Sequence, residues 1–229
     1  MRDAVVLVPA AGRGERLGEG APKALRDLDG EPLLRHAVRR LAMAPSIGHI
    51  VVASPAGTEP EVRRLLDSLN GVDLTVVAGG SDRQASVAAA LGAAPLAYQI
   101  VLVHDAARPL VPPDLTERVV AAVREGGDAV IPVLEVVDTV KRVDPTGRVV
   151  ATVDRSALRR VQTPQGFRRS VLTVAHSAAR DSATDDAGLV ERLGTPVHTV
   201  PGSEYALKIT RPYDLAIAEL LLRHESARR

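Results

Sequence analysis

Ala4-Val5-Val6-Leu7-Val8-Pro9-Ala10-Ala11-Gly12-Arg13-Gly14-Glu15-Arg16-Leu17-Gly18 is the stretch that decides the fold class. Five apolar residues in a row, three of them β-branched, read as a strand covered on both faces, the pattern of a central strand in a parallel sheet. The run then breaks into small residues and glycines, which let backbone N–H groups come close to an anion. A dinucleotide fingerprint needs G-x-G-x-x-G opening a helix directly, but here the third glycine falls at Gly18 and Pro22 interrupts any continuing helix. A Walker A loop fails as well, because Lys23 sits between Pro22 and Ala24. Two readings stay open from the residues alone: a loop that cradles phosphates, and a glycine-rich connection carrying solvated cations.

Working outward, β-branched runs bounded by turn residues alternate with Ala/Leu/Arg-rich segments at helical spacing, as in βαβ units. Strands are predicted over 4–8, 49–53, 73–78, 100–104, 128–132 and 197–200, and helices over 32–44, 59–70, 82–93, 113–125, 169–180, 187–193 and 211–224. The fold class is therefore α/β, a Rossmann-like, mostly parallel sheet. Residues 135–160 break the alternation with two valine-rich runs around Asp144-Pro145-Thr146-Gly147, a β-hairpin signal. Such a hairpin has little core of its own, which predicts that this arm packs against a second copy of the chain. The whole of 1–229 is expected to form one domain, with 135–160 as its β-arm.

Composition narrows the function classes. The 29 Lys+Arg and 28 Asp+Glu nearly cancel, so no basic nucleic-acid-binding surface or acidic tail is expected. Cysteine is absent, which excludes disulfides, thiolate metal sites and a cysteine nucleophile. Aromatics make up 2%, too few for a base-stacking platform. No apolar run reaches the roughly 20 residues of a membrane span, and no export signal is visible, which predicts a cytoplasmic protein without membrane partners. Of the 29 basic residues only Lys23, Lys141 and Lys208 are Lys. In a chain whose default cation is Arg, a Lys can mark a place that needs a compact point charge.

Three further segments carry candidate chemistry. His104-Asp105-Ala106-Ala107-Arg108-Pro109 ends the strand 100–104, where a carboxylate is well placed to hold Mg²⁺ beside a phosphate chain; a loop cap paired with Arg108 is the alternative. His104 reads as a structural histidine, because a phosphate nucleophile is already ionised and needs no general base. Gly79-Gly80 followed by Ser86 could present backbone groups to a base edge, the alternative being a helix capped by Ser81 or Asp82. Lys208-Ile209-Thr210-Arg211-Pro212 offers a cation for a second phosphate. Thr184-Asp185-Asp186 reads as an N-cap with charges that suit the helix dipole.

Taken in order, Pro9-Ala10-Ala11-Gly12-x-Gly14-x-Arg16 with Pro22-Lys23, Gly79-Gly80-x-x-Arg83-x-x-Ser86, Val103 to Pro109, Asp138-Thr139-x-Lys141, Val153-Asp154-Arg155, Thr163-Pro164-Gln165, Thr184 to Ala187 and Lys208-Ile209-Thr210-Arg211-Pro212-x-Asp214-Leu215 resemble the 2-C-methyl-D-erythritol 4-phosphate cytidylyltransferases of the non-mevalonate isoprenoid pathway. The resemblance spans essentially the whole chain. It implies a nucleotidyltransferase fold and attack of the substrate 4-phosphate on the α-phosphorus of CTP, with pyrophosphate leaving and Mg²⁺ assisting. It also implies Arg16 and Lys23 as transition-state cations, and nucleotide contacts from Pro9, Ala10, Ala11, Gly12, Gly14, Gly80, Ser86 and Asp105, the last also binding metal. Arg155 and Lys208 would position the substrate phosphate, Arg108 and Thr139 would bind substrate, and Thr139 and Arg155 would reach into the neighbouring subunit of a homodimer. The sequence departs from many members at Ser81 and at Tyr205-Ala206-Leu207, where acidic residues or Asn are common. A nucleotidyltransferase for another sugar or polyol phosphate is the enzymatic rival, and a nucleotide-binding regulator without catalysis is the rival from another class.

Overall fold

The computed structural model describes residues 1–12, 22–69, 71–181 and 183–226. Its first strand, β1 (Ala4–Pro9), is buried almost throughout and lies near the middle of an eight-stranded sheet. A 3-10 turn at Lys23–Leu25 and the short pair β2 (Asp27–Leu28) and β3 (Glu31–Pro32) lead into helix α1 (Leu33–Ala42). There follow β4 (Ile47–Ser54), α2 (Glu59–Leu66), β5 (Asp73–Ala78), α3 (Arg83–Ala93), β6 (Ile100–Val103) and α4 (Pro113–Arg124). The second half holds β7 (Ala129–Glu135), β8 (Val140–Val143), β9 (Val149–Val153), β10 (Arg159–Val161), β11 (Gln165–Arg168), α5 (Arg169–Ala178), α6 (Asp186–Glu191), β12 (Val197–Pro201) and α7 (Pro212–Ser226).

The main sheet runs β10-β7-β11-β6-β1-β4-β5, with β12 on the other side of β7. Pairings β5–β4, β4–β1, β1–β6 and β7–β12 are parallel, while β11 lies antiparallel between β6 and β7. The period-two alternation of the central strands divides their side chains between two cores. Val6, Val8, Ile50 and Val52 pack with Leu34 and Leu41 of α1, Leu66 of α2 and Leu115 of α4. Val5, Leu7, Val51, Val101 and Val103 face the other way, onto Val87 of α3, Leu172 of α5 and Leu189 of α6. Helices therefore cover both faces, as the apolar strands require.

From β1 the chain builds β4 and β5 outward on one side, then returns to place β6 on the other. That reversal opens a crevice at the carboxyl ends of the strands, the usual ligand position in an open α/β sheet. Besides the short β2–β3 pair, two segments of the second half differ from the sequence expectation. The span 135–160 is not one hairpin: Glu135 ends β7, β8 and β9 form a separate two-stranded sheet, and Arg159–Val161 returns to pair with β7. Ladder partners were free at the edge of β7, so its hydrogen bonds outweigh the hairpin pattern at both ends of the span. β11 was not anticipated at all. Its Gly166 lets α4 approach closely, since a Cβ there would stand 2.6 Å from Val119 Cγ1.

Candidate active site

The crevice is a cleft of about 1080 Å³ built at the ends of β1, β4, β5 and β6. After β1, Pro9, Ala10, Ala11 and Gly12 form one wall. Ala10 donates its N–H to Ala53 O (2.7 Å), which ties this wall to β4. Gly14 and Arg16, expected to continue it, lie outside the described residues. Lys23, on the 3-10 turn beyond Pro22, also lines the cleft.

After β5 come Gly79 and Gly80, and the space around them explains the residue type. A Cβ on Gly79 would stand 2.6 Å from Ala11 Cβ and 3.0 Å from Ser54 O, and one on Gly80 would collide with Ala85 Cβ. The two walls thus meet at a contact only glycine allows. Ser86 fixes the turn from below: its hydroxyl donates to Asp82 O (2.7 Å) and accepts the Gly80 N–H (3.1 Å). Asp82, rather than Ser81, caps α3 by accepting from Ala85 N–H (2.8 Å).

After β6 stands Asp105, the charge centre of the cleft. Its Oδ1 pairs with Arg83 Nε (3.1 Å) and its Oδ2 with Lys208 Nζ (2.7 Å), with Arg108 Nε farther off at 4.0 Å. Burial alone would raise its carboxyl, but Arg83, Lys208 and Arg108 together hold it well below the usual carboxylate range. Arg83 was not among the residues the sequence placed in the site, although it lies in the Gly79 to Ser86 motif. Burial works against its charge, yet Asp186 and Asp105 raise its pKa further above the ordinary value. Lys208 follows a 3-10 turn at Glu204–Ala206, and Ile209 beside it is pinned by donating its N–H to Ala107 O (2.8 Å).

His104 is fully buried and takes no part in the cleft lining. A carbonyl can only accept, so the contact with Arg108 O (3.2 Å) makes Nε2 the protonated ring nitrogen, and Nδ1 accepts from the Thr163 hydroxyl (3.1 Å). That hydroxyl in turn accepts the Asp105 N–H (3.0 Å), so the imidazole props the carboxylate's backbone. Burial pushes the His104 pKa down to about 4 and keeps it neutral. Arg108, expected at the substrate, is buried, with Nη1 on Ala206 O (2.7 Å) and Nη2 on Val161 O (3.2 Å). It is not among the residues that line the cleft. Thr139 and Arg155 are exposed, both at the end of the β8–β9 arm away from its turn, and also lie outside the lining.

The arrangement combines three wall segments of backbone and small side chains with a buried carboxylate and the cations Lys23, Arg83 and Lys208, a setting suited to a polyphosphate. Among the described residues no cluster of three or more His, Asp or Glu could enclose a metal, so a cation here would rely on one carboxylate and on ligand oxygens. No helix among the described residues is long and apolar enough to cross a membrane.

Residues 4–224 match the family model described as IspD, 2-C-methyl-D-erythritol 4-phosphate cytidylyltransferase. Proteins of that name from Saccharopolyspora erythraea and Frankia casuarinae are 56% and 55% identical over 221 and 216 residues, covering 95% and 94% of this chain and 98% and 80% of theirs. The crystal structure of the Thermus thermophilus enzyme of the same name is 43% identical with a TM-score of 0.77, over 95% of this chain and 98% of that one. A 4-diphosphocytidyl-2C-methyl-D-erythritol synthase from Anaerococcus prevotii is 26% identical with a TM-score of 0.83, over 96% and 98%.

Proposed function

The chain belongs to the 2-C-methyl-D-erythritol 4-phosphate cytidylyltransferase family, and from that membership we propose how its cleft carries out the reaction. The enzyme transfers the cytidylyl group of CTP to 2-C-methyl-D-erythritol 4-phosphate. An oxygen of the substrate phosphate attacks the α-phosphorus, the bond from that phosphorus to the bridging oxygen of pyrophosphate breaks, and its electron pair leaves with pyrophosphate. The nucleophile is already an anion, so no proton is removed, and positioning and charge stabilisation supply the catalysis.

We assign Lys23 and Arg16 to the charge that develops on the α-phosphate and the leaving group. The Ala10-Ala11 and Gly79-Gly80 walls, with Pro9, Gly12, Gly14 and Ser86, hold the nucleotide, and their close contact shapes a slot for a flat pyrimidine. Asp105 meets the ribose and would hold a divalent cation, Mg²⁺; an ionised carboxylate at the cleft suits such an ion. The cation would neutralise phosphate charge during transfer. Lys208 receives the substrate phosphate, leaving Asp105 Oδ2 to the incoming ligands. Arg108 acts from behind, holding the backbone at Ala206 two residues before Lys208. The chain is one nucleotidyltransferase domain whose β-arm, with Thr139 and Arg155, completes the site of the partner in a homodimer. Four apolar side chains exposed on the arm, Val137, Val143, Val149 and Val150, support that pairing.

The observation that carries this reading is the meeting of Lys23, Asp105, Lys208 and the Gly79-Gly80 turn in one cleft. Pyrophosphate release from CTP that requires methylerythritol phosphate, with other polyol phosphates and sugar 1-phosphates turned over poorly, is the expected result. Equal turnover of those acceptors would favour the broader nucleotidyltransferase, and CTP binding without release would favour the regulator.

A further inference from the structure

Behind the cleft, Arg83 has a second partner that the reaction scheme does not use. Its Nη1 lies 2.7 Å from Oδ2 of Asp186, a carboxylate that is 1% exposed. The other oxygen, Oδ1, accepts from His176 Nε2 (2.9 Å), on α5. Oδ2 has no hydrogen bond of good geometry beyond this ion pair, so the charge of Asp186 is answered chiefly by Arg83. The segment around Asp186 is stitched to the site's framework at three more points. Ala183 donates its N–H to Gln84 Oε1 (3.2 Å), beside Arg83; Gln165 Nε2 donates to Asp185 Oδ2 (2.7 Å); and Gln165 Oε1 accepts from Ala187 N–H (3.1 Å). A helix cap needs none of this: the cap is made by Asp185, which accepts from Gly188 N–H (3.0 Å).

We infer that Asp186, oriented by His176, is a positioning residue for the nucleotide site: by holding Nη1 of Arg83 it fixes the plane of the guanidinium and so the direction from which Nε meets Asp105 Oδ1. A guanidinium is planar and rigid, so a contact at one nitrogen sets where the others point. With Asp186 neutralised, Arg83 would leave this setting, and Asp105 would no longer be held where it meets the ribose and the metal. The inference rests on the reading that Asp105 meets the nucleotide and its metal.

The test compares Asp186→Asn, Arg83→Lys, the double variant and Asp105→Asn by steady-state kinetics against CTP and Mg²⁺, with thermal melting alongside. Asp186→Asn is expected to raise KM for CTP and the Mg²⁺ requirement by about tenfold, the range for coupled residues in contact, and to change kcat less than threefold. The double variant should be little worse than the more impaired single variant, since both act through one group. A role in folding alone would lower Tm and the active fraction while leaving the KM of the surviving enzyme at its wild-type value, and that outcome overturns the inference. So do effects that multiply in the double variant. Should Asp186→Asn fail to fold, Arg83→Lys, which keeps the charge and loses the fork, carries the test: a KM for CTP at the wild-type value overturns it. If Asp105→Asn itself leaves KM and the Mg²⁺ requirement unchanged, the reading of Asp105 fails. Raised values there beside wild-type values in Asp186→Asn would overturn only the positioning role.

Discussion

Lys23 and Lys208 are two cations of one cleft whose loss should be felt at different steps. Removing a donor aimed at developing charge typically costs about 2.7–4 kcal/mol of barrier. Lys23→Ala is therefore expected to lower kcat by two to three powers of ten with a much smaller change in CTP affinity, whereas Lys208→Ala should chiefly raise KM for the alcohol phosphate. Steady-state kinetics giving the reverse pattern would exchange their roles. His104 supplies a prediction about stability. Its folded pKa of about 4 lies below the unfolded value near 6.5, so the unfolded chain binds the extra proton between those limits. Stability from this group is complete above pH 6.5 and is lost as pH falls toward 4, by up to about 3 kcal/mol. Burial lowers His36 and His49 as well, so they act in the same direction. In urea titrations from pH 4 to 7, His104→Gln should flatten the fall whatever its absolute stability, and an unchanged slope would refute the assignment. At the residue scale the sequence made Lys23, Asp105 and Lys208 legible by type and position. It named Arg83 within the Gly79 to Ser86 motif but gave it no role, because its two carboxylate partners, Asp105 and Asp186, lie far along the chain.

Elements place those residues, and their junctions are the sensitive points. The wall after β1 and the turn after β5 touch through Ala11 and Gly79, so Gly79→Ala must push the two apart. The expected outcome is a rise of more than tenfold in KM for CTP with a fold that still melts cooperatively. A KM within twofold of wild type would mean that the slot yields without consequence. One turn later, Asp82 caps α3 at an exposed position, and Asp82→Ala should cost about 1 kcal/mol in chemical denaturation. The long strands and helices were readable from the chain because each carries its own period. β10 and β11 were not: Arg159–Val161 has no buried face, and Gln165–Arg168 is four residues with a glycine. Their strand character comes from open ladder positions on β6 and β7, which only the assembled sheet offers.

For the whole molecule, the decisive question is whether one chain completes its own site. Thr139 and Arg155 are exposed on the arm and do not line the cleft. In an isologous dimer each arm would serve the partner. Coexpression of Lys23→Ala chains with Arg155→Ala chains should then restore activity, since a mixed dimer has one site with the Arg155→Ala chain's body and the Lys23→Ala chain's arm, both intact there. Random pairing makes half the dimers mixed, so roughly a quarter of all sites recover. Activity no higher than the mean of the parents, with mixed dimers confirmed by native mass spectrometry, would return Arg155 to its own subunit's site or to none.

The sequence by itself determined the α/β class, the two-faced burial of β1 and β6, the strand-end position of the cleft and the family, because these rest on local period, on residue type and on motifs in order. Tertiary structure alone decided that Arg108 spends its fork on two carbonyls, that residues 159–161 leave the arm for the main sheet, and that Asp186 reaches Arg83. Each of these pairs groups between about 20 and 100 positions apart in the chain. A charged side chain takes whichever partner the packed fold brings within reach of its buried head, and no local spacing records that choice.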